Sequence, residues 1–433
     1  MRNNQVCSEQ GKLNIYPGKM VQNNITWFST CALALLVLLI NVPFIQRLLG
    51  GSLIIFPVIA IYALSCYKNR FVLAKHSISL LLCCGIYYLF VIIYKITGIS
   101  SATFGHDIHT ILYFVLFASV HTILNMDLKK RKFLLNVAII TMLITVFSNF
   151  IQFNKIGSSS YFLLHHIETD SALGNLATTQ FSTGLVLLTG FLYIMFHTDS
   201  NKRRRMLWII LILICILFNI LIAQRAINII LTAGMLVFLY IFKGKNKMSI
   251  NILLIVSFIL FVIIMQNITA VLSFFGNLLG SSRIAHRLNS LSTFLLTREA
   301  QEAGGSMSER FMFYNTSIST WLSSLRSFFF GVGDHIADNT IIGNHSQIFD
   351  VLAQYGIICA LCFYYSVYKT LALLIEKLSI KKGTKIYRQT LVIFAVFLVR
   401  GFLGFVVYEQ IAVSMFIFFP TMISLMNEGV NKA

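Results

Sequence analysis

Charge is what this sequence lacks most. Charged residues make up 11% of the 433, less than half of the roughly 25% found in ordinary soluble domains. Acidic side chains are scarcer still, at 15 against 34 Lys and Arg. A chain so poor in charge and 57% hydrophobic is excluded from the water-soluble globular classes. Cysteine is sparse as well, and none of the eight (Cys7, Cys31, Cys66, Cys83, Cys84, Cys215, Cys359 and Cys362) falls where an extracytoplasmic disulfide framework would need it. Their spacing matches no zinc site, and Cys83, Cys84, Cys359 and Cys362 read as small apolar fillers. A cleavable signal peptide is not expected either, because the first apolar run starts about 25 residues in and is long enough to remain as a span.

Long apolar runs are what the sequence has instead. A spanning helix needs about 20 mainly apolar residues, and about twelve stretches qualify: roughly 26–45, 50–67, 76–94, 107–126, 133–152, 177–197, 206–223, 226–242, 249–266, 347–368, 388–407 and 409–426. The seventh and eighth are parted only by a tight turn at Gln224-Arg225, and the last two nearly touch at Tyr408-Glu409. The expectation is an all-α polytopic membrane protein. Residues 1–266 hold nine transmembrane helices with short loops, 267–346 form a large outer loop, and 347–433 hold three more spans and a tail.

With the N-terminus placed in the cytoplasm, most of the 34 Lys and Arg fall on inner connections, including the runs Lys129–Lys132 and Lys202–Arg205. That asymmetry is the positive-inside rule. The net charge of +19 is therefore a topological signal, with basic runs seated among anionic lipid headgroups. No nucleic-acid partner is expected.

Two outer segments are long, and long loops in a compact fold are usually functional. The one at about 153–176 contains His165, His166, Glu168 and Asp170. That group reads either as a solvated loop or as the metal site of a metal-dependent sugar transferase. The other, at 267–346, contains Ser306-Met307-Ser308-Glu309, which has the form of a capping box. After it come Phe311, Tyr314, Ile318, Trp321, Leu322 and Leu325 at spacings of three and four, the pattern of an amphipathic helix lying at the outer interface. Arg310 sits in the first turn, where a cation opposes the helix dipole, so an anion is expected nearby. Glu302, Glu309 and a bound phosphate all remain open for that part. Beyond the helix, Gly331-Val332-Gly333-Asp334 reads as a flexible turn back to the membrane.

The stretch Gly343-Asn344-His345-Ser346-Gln347 follows. Asn344 as N-cap with Gln347 as its reciprocal partner makes His345 the first residue of the tenth span. There the positive end of the dipole favours the uncharged imidazole that a general base needs. Gly356 returns to nearly the same helical face three turns on, which permits close approach of another helix or a substrate chain. Arg225, at the outer turn, and Arg400, inside the eleventh span near its outer end, are costly in a membrane, so each calls for a partner or a function. Glu409 is one available partner for Arg400. A guanidinium fork is suited to a diphosphate, since it donates two parallel charge-assisted hydrogen bonds and keeps its proton. Gln347 and Asp350, in the first turn after the histidine, join Arg225, Arg310 and Arg400 as candidate substrate-binding residues, with His345 as the candidate catalytic base.

The run Asn344-His345-Ser346-Gln347-Ile348-Phe349-Asp350 through Gln354-Tyr355-Gly356-Ile357-Ile358 resembles the histidine motif of the O-antigen ligase and polymerase superfamily. Gln224-Arg225-Ala226 resembles that family's arginine at the start of a span. Glu309-Arg310-Phe311 with Trp321 and Gly331-Val332-Gly333 resembles its loop arginine. The likeness covers roughly 210–370. It implies a twelve-span, GT-C-like fold with a large extracytoplasmic loop, in a bacterial inner membrane with both termini cytoplasmic and the active site periplasmic. It also implies transfer of a glycan from an undecaprenyl-diphosphate-linked oligosaccharide to an acceptor hydroxyl, without metal or other cofactor. A chain-length regulator is a further partner the family implies. The residues after the histidine look more like polymerases than ligases, and a ligase delivering polymer to lipid A core stays as the alternative. A lipid-linked oligosaccharide flippase is the rival from another class. It is disfavoured because transporters place ionisable residues at the bilayer midplane, whereas here they gather outside.

Overall fold

In a bilayer core no water is available to backbone N–H and C=O groups, so an apolar run must satisfy them within itself, and a helix results. The computed structural model has this character: among the described residues nearly all are helical and none is in a strand. It describes residues 25–42, 54–68, 118–156, 179–199, 201–223, 226–242, 268–278, 306–333, 342–343, 346–377, 383–404 and 409–430, with isolated positions within 45–49, 85–97, 115–116 and 289–293 and at 380. The helices are α1 (Trp27–Asn41), α2 (Ile55–Lys68), α3 (Leu128–Ile156), α4 (Thr179–Thr198), α5 (Lys202–Leu217, extended by π turns over Phe218–Ala223), α6 (Ala226–Ile241), α7 (Ile268–Leu278), α8 (Ser306–Trp321), α9 (Leu325–Phe330), α10 (Gln347–Lys377) and α11 (Lys385–Leu403). The last, α12, starts at Glu409–Ala412, widens into π turns over Val413–Phe418 and continues over Phe419–Val430. These labels count described helices, not membrane crossings.

Short polar side chains mark where several of them begin, because each accepts from an amide the first turn leaves unbonded. Thr26 accepts from the Ser29 amide (3.4 Å), Asn201 from Arg203 (2.9 Å) and Thr384 from Tyr387 (3.3 Å). Asp127 accepts from the Lys130 amide (2.9 Å). Burial works against that carboxylate, but hydrogen bonds from Lys130 outweigh it and hold the carboxyl below its usual range.

Five helical stretches, Leu128–Ile151, Phe181–Thr198, Lys202–Ala223, Gln347–Glu376 and Lys385–Leu403, are long and apolar enough to cross a membrane. Their outer faces are apolar too: Ile140, Ile144, Phe147 and Ile151 on α3 and Leu213 and Leu217 on α5 are exposed. In water such a surface would drive association, whereas hydrocarbon accommodates it.

Helix α4 is the hub, buried on every side from Phe181 to Leu192. A helix apolar all round belongs at the centre of a bundle. Its contacts fix the directions of its neighbours. Ser182 meets Asn228 and Gly190 meets Met235, so α6 runs parallel to α4. Gly184 meets Gln410 and Phe191 stacks on Phe419 (4.5 Å), so α12 is parallel as well. Thr183 meets Arg400 and Gly190 meets Ile393, so α11 is antiparallel. Trp27 packs on Phe133 while Asn41 bonds Thr141 (3.1 Å), which makes α1 and α3 parallel to each other. Phe218 touches both Phe150 and Phe181, so α3 and α5 end where α4 begins. The basic starts of α3 and α5 therefore share one end of the bundle, and the starts of α4, α6 and α12 share the other.

Several expectations change. The amphipathic run does not continue as one helix to Leu325. It ends at Trp321, and Ser324 caps the separate α9 by accepting from the Ser327 amide (3.0 Å). Leu322 and Leu325 are exposed, and the buried face of α8 centres on Ser317. The tenth span begins at Gln347, not His345, and it breaks at Gly356 (φ 73°, ψ −179°). The ninth apolar stretch (249–266) and the group His165, His166, Glu168 and Asp170 lie outside the described residues.

Candidate functional site

The start of α10 is tied down by its own side chains. Ser346 Oγ accepts from the Phe349 amide (3.4 Å), and the Asp350 carboxylate reaches back to accept from the Ser346 amide (2.8 Å). The reciprocal cap expected of Asn344 and Gln347 is thus made two to three residues further along, by Ser346 and Asp350. The reason is chemical: a carboxylate on the first turn is both a strong acceptor and favoured by the dipole. His345 and Asn344 lie outside the described residues, directly before this cap.

Asp350 is 1% exposed, and its other oxygen accepts from Ser317 Oγ of α8 (2.6 Å). Ser317 in turn accepts from the Gly343 amide (2.9 Å), and the Tyr314 and Phe349 rings pack at 5.7 Å. Helix α8 therefore lies directly against the histidine stretch. It carries Arg310, two turns before Ser317.

The other wall is the end of α11. Ser346 Oγ donates to the Gly401 carbonyl and the Gln347 amide to the Gly404 carbonyl, both at 3.3 Å. Arg400 is buried one turn away, with its guanidinium occupying the space a side chain on Gly404 would fill. Its Nε donates to Thr183 Oγ1 on α4 (3.2 Å), a residue the sequence did not single out. A cation in the last turn of α11 also suits that helix's dipole. Replacing Thr183 with valine removes this acceptor and should lower the unfolding free energy of the detergent-solubilised protein by about 0.6–1.7 kcal/mol, the range for hydrogen bonds between membrane helices. An unchanged unfolding midpoint would mean that the bond contributes nothing.

Next to Thr183, Ser182 accepts from Asn228 Nδ2 (2.9 Å), which also donates to Asn219 Oδ1 (3.3 Å). Asn219 lies in the π turns that end α5 and donates back to the Cys215 carbonyl (3.0 Å). Single π turns in a helix are frequent near functional sites. Gln224 and Arg225 lie outside the described residues, in the link between those π turns and α6. Asn228 Oδ1 is buried and has no hydrogen-bond partner among the described residues. A small recess at the same end is lined by Asn41, Gly184, Gln410 and Ser414 among apolar side chains.

The large loop is anchored to α10 by its glycines. The break at Gly356 leaves helical carbonyls unused, and the loop supplies their donors: the Val332 amide bonds Ala353 and the Gly333 amide bonds Gln354, both at 2.9 Å. Gly331 (φ 77°) and Gly356 touch backbone to backbone, Gly331 against Gln354 and Gly356 against Phe329. The Tyr94 hydroxyl bonds the carbonyls of Phe330 and Gly331 (3.3 Å to the latter). The expected close approach at Gly356 is thus made by the loop, and Gly331-Val332-Gly333 is a docked strap rather than a loose turn.

Five chain segments consequently meet at the end of the bundle opposite the basic runs: α8 with Arg310, the stretch around His345, the end of α11 with Arg400, the start of α4, and the start of α6 beside Arg225. Ser182 and Thr183, adjacent on α4, link the last of these to Arg400. Comparison with protein-family models and with characterised proteins gives no match to this chain.

Proposed function

We propose that this protein is a glycosyltransferase of twelve crossings that joins undecaprenyl-diphosphate-linked oligosaccharides at the periplasmic face of a bacterial inner membrane, as an O-antigen polymerase. The observation that carries this reading is the convergence just described, in which segments bearing or flanking His345, Arg225, Arg310 and Arg400 share one end of an all-α membrane bundle.

In this reading the acceptor sugar hydroxyl attacks the anomeric carbon of the donor glycan. The bond from that carbon to the diphosphate oxygen breaks, and its electron pair leaves with the carrier diphosphate. His345 takes the hydroxyl proton, and Arg225 and Arg310 hold the diphosphate as charge builds on it. Gln347 and Arg400, at the same end, are assigned to substrate binding. The sugar–diphosphate bond supplies the driving force.

Lysine in place of Arg225 or Arg310 keeps the charge but loses the fork. Each change should lower the transfer rate at least tenfold in proteoliposomes supplied with a carrier-linked repeat. Wild-type kinetics in both variants would remove the diphosphate clamp from the mechanism.

Reconstitution of the purified protein with a defined carrier-linked repeat tests the proposal as a whole. A ladder of longer carrier-linked glycans with release of undecaprenyl diphosphate is the expected product. Movement of the intact lipid across the bilayer without new glycosidic bonds would make the chain a flippase. In a deletion strain, lipopolysaccharide bearing a single repeat indicates the polymerase. Bare core with accumulated carrier-linked polymer indicates the ligase.

A further inference from the structure

The bond pattern around residues 343–346 is a closed bracket. The Gly343 amide donates to Ser317 Oγ (2.9 Å), Ser317 Oγ donates to Asp350 Oδ1 (2.6 Å), and Asp350 Oδ2 accepts from the Ser346 amide (2.8 Å). Two backbone amides on either side of Asn344-His345 are thereby fixed to two side chains that are also bonded to each other. Ser317 and Ser346 are fully buried and Asp350 nearly so. Bonds in so dry a setting are short of competing water and rigidify what they join.

Resting on the reading of His345 as the base, we propose that Ser317 and Asp350 form a two-point clamp that positions the histidine, and that Ser317 is a positioning residue for the reaction. The serine suits the task because a hydroxyl both donates and accepts. It accepts a hydrogen bond from the Gly343 amide and donates one to the carboxylate, which no apolar side chain of its size does. The carboxylate then accepts twice, from a side chain on α8 and from the amide next to the histidine. Since Ser317 also lies on α8, the clamp ties Gly343 and Ser346, on either side of the histidine, to the helix whose first turn contains Arg310. A displacement of about 1 Å at a reacting group costs on the order of 10²-fold in rate, so the clamp acts on turnover more than on binding.

The test compares Ser317→Ala, Ser317→Thr and Asp350→Asn with His345→Ala. Transfer kinetics are read in proteoliposomes, and amide hydrogen exchange of peptides covering 342–347 is read by mass spectrometry. Ser317→Ala should lower kcat roughly 10- to 100-fold with the donor KM within about threefold, and exchange in 342–347 should accelerate while α4 stays protected. Ser317→Thr, which keeps a hydroxyl, should recover most of both. Asp350→Asn, which keeps one acceptor but replaces the other with an NH₂ donor, should fall between. Unchanged exchange in Ser317→Ala overturns the clamp. Faster exchange with normal kcat, while His345→Ala is inactive, overturns its link to the reaction. A fully active His345→Ala removes the base assignment itself, whatever the exchange data read, and with it the clamp's catalytic part.

Discussion

Alanine at His345 should lower the transfer rate about 10²–10⁴-fold, leaving little polymer, while the protein still inserts and folds. The size follows from the step that is lost. A sugar hydroxyl is a poor nucleophile with its proton in place, and His345 is the one histidine between Gly343 and Gln347. In sequence, the histidine directly precedes Ser346, the N-cap of α10. An imidazole acts as a base only while it is uncharged, so the wild-type rate should fall as pH drops through the imidazole range, because the protonated ring has no site left to accept a proton. The residual rate of the alanine variant should lack that limb. Measuring initial rates of both proteins between about pH 5 and pH 9 checks the claim. A variant with wild-type rate, or one that keeps the same pH limb, would assign the base elsewhere.

Gly356→Ala should be strongly destabilising. At φ 73° and ψ −179°, Gly356 occupies a region essentially closed to residues with a Cβ, and strain there costs about 1–3 kcal/mol. The new methyl would also stand 2.2 Å from the Phe329 carbonyl oxygen and 2.5 Å from the Phe330 nitrogen. Neither is a flexible side-chain end that swings aside, so overpacking adds about 1–3 kcal/mol. A loss of roughly 2–6 kcal/mol, read as a lowered denaturation midpoint in detergent, is the expected outcome. Gly331→Ala meets Gln354 in the mirror-image way and should cost a similar amount. The double variant should fall short of the sum, because both changes open one junction. Tolerance of alanine at 356 within about 0.5 kcal/mol would show that the strap is not seated on the helix break.

The apolar runs made the helices legible, since a 20-residue stretch without charge has few alternatives to helix. The basic runs fixed which helix ends belong together, and the directions of α1, α3, α4, α6, α11 and α12 agree with that alternation. Gly356 was legible as a point of close approach, though not as a break, because one glycine within an apolar pattern carries no sign of its backbone angles. The cap lies two residues beyond the expected one, because Asn344 with Gln347 fits the local pattern as well as Ser346 with Asp350 does. What decided between them was Ser317, 33 residues away from Asp350, and periodicity says nothing about so distant a partner. Thr183 was missed for the same reason, at 217 residues from Arg400. A threonine in an apolar helix looks like any other until its neighbour is an arginine.

The strap has a consequence for how the protein is made. Ribosomes deliver chain at about 5–20 residues per second, and Tyr94 is in place long before Phe330, which follows 236 residues later. The carbonyls of Ala353 and Gln354 that receive the strap's amides emerge later still. The large loop must therefore wait, its final seat unmade, until the downstream helix has been made. A nascent chain halted just short of that helix would present the Val332 and Gly333 amides to a partner not yet synthesised, and a protease would meet the loop in its most vulnerable form.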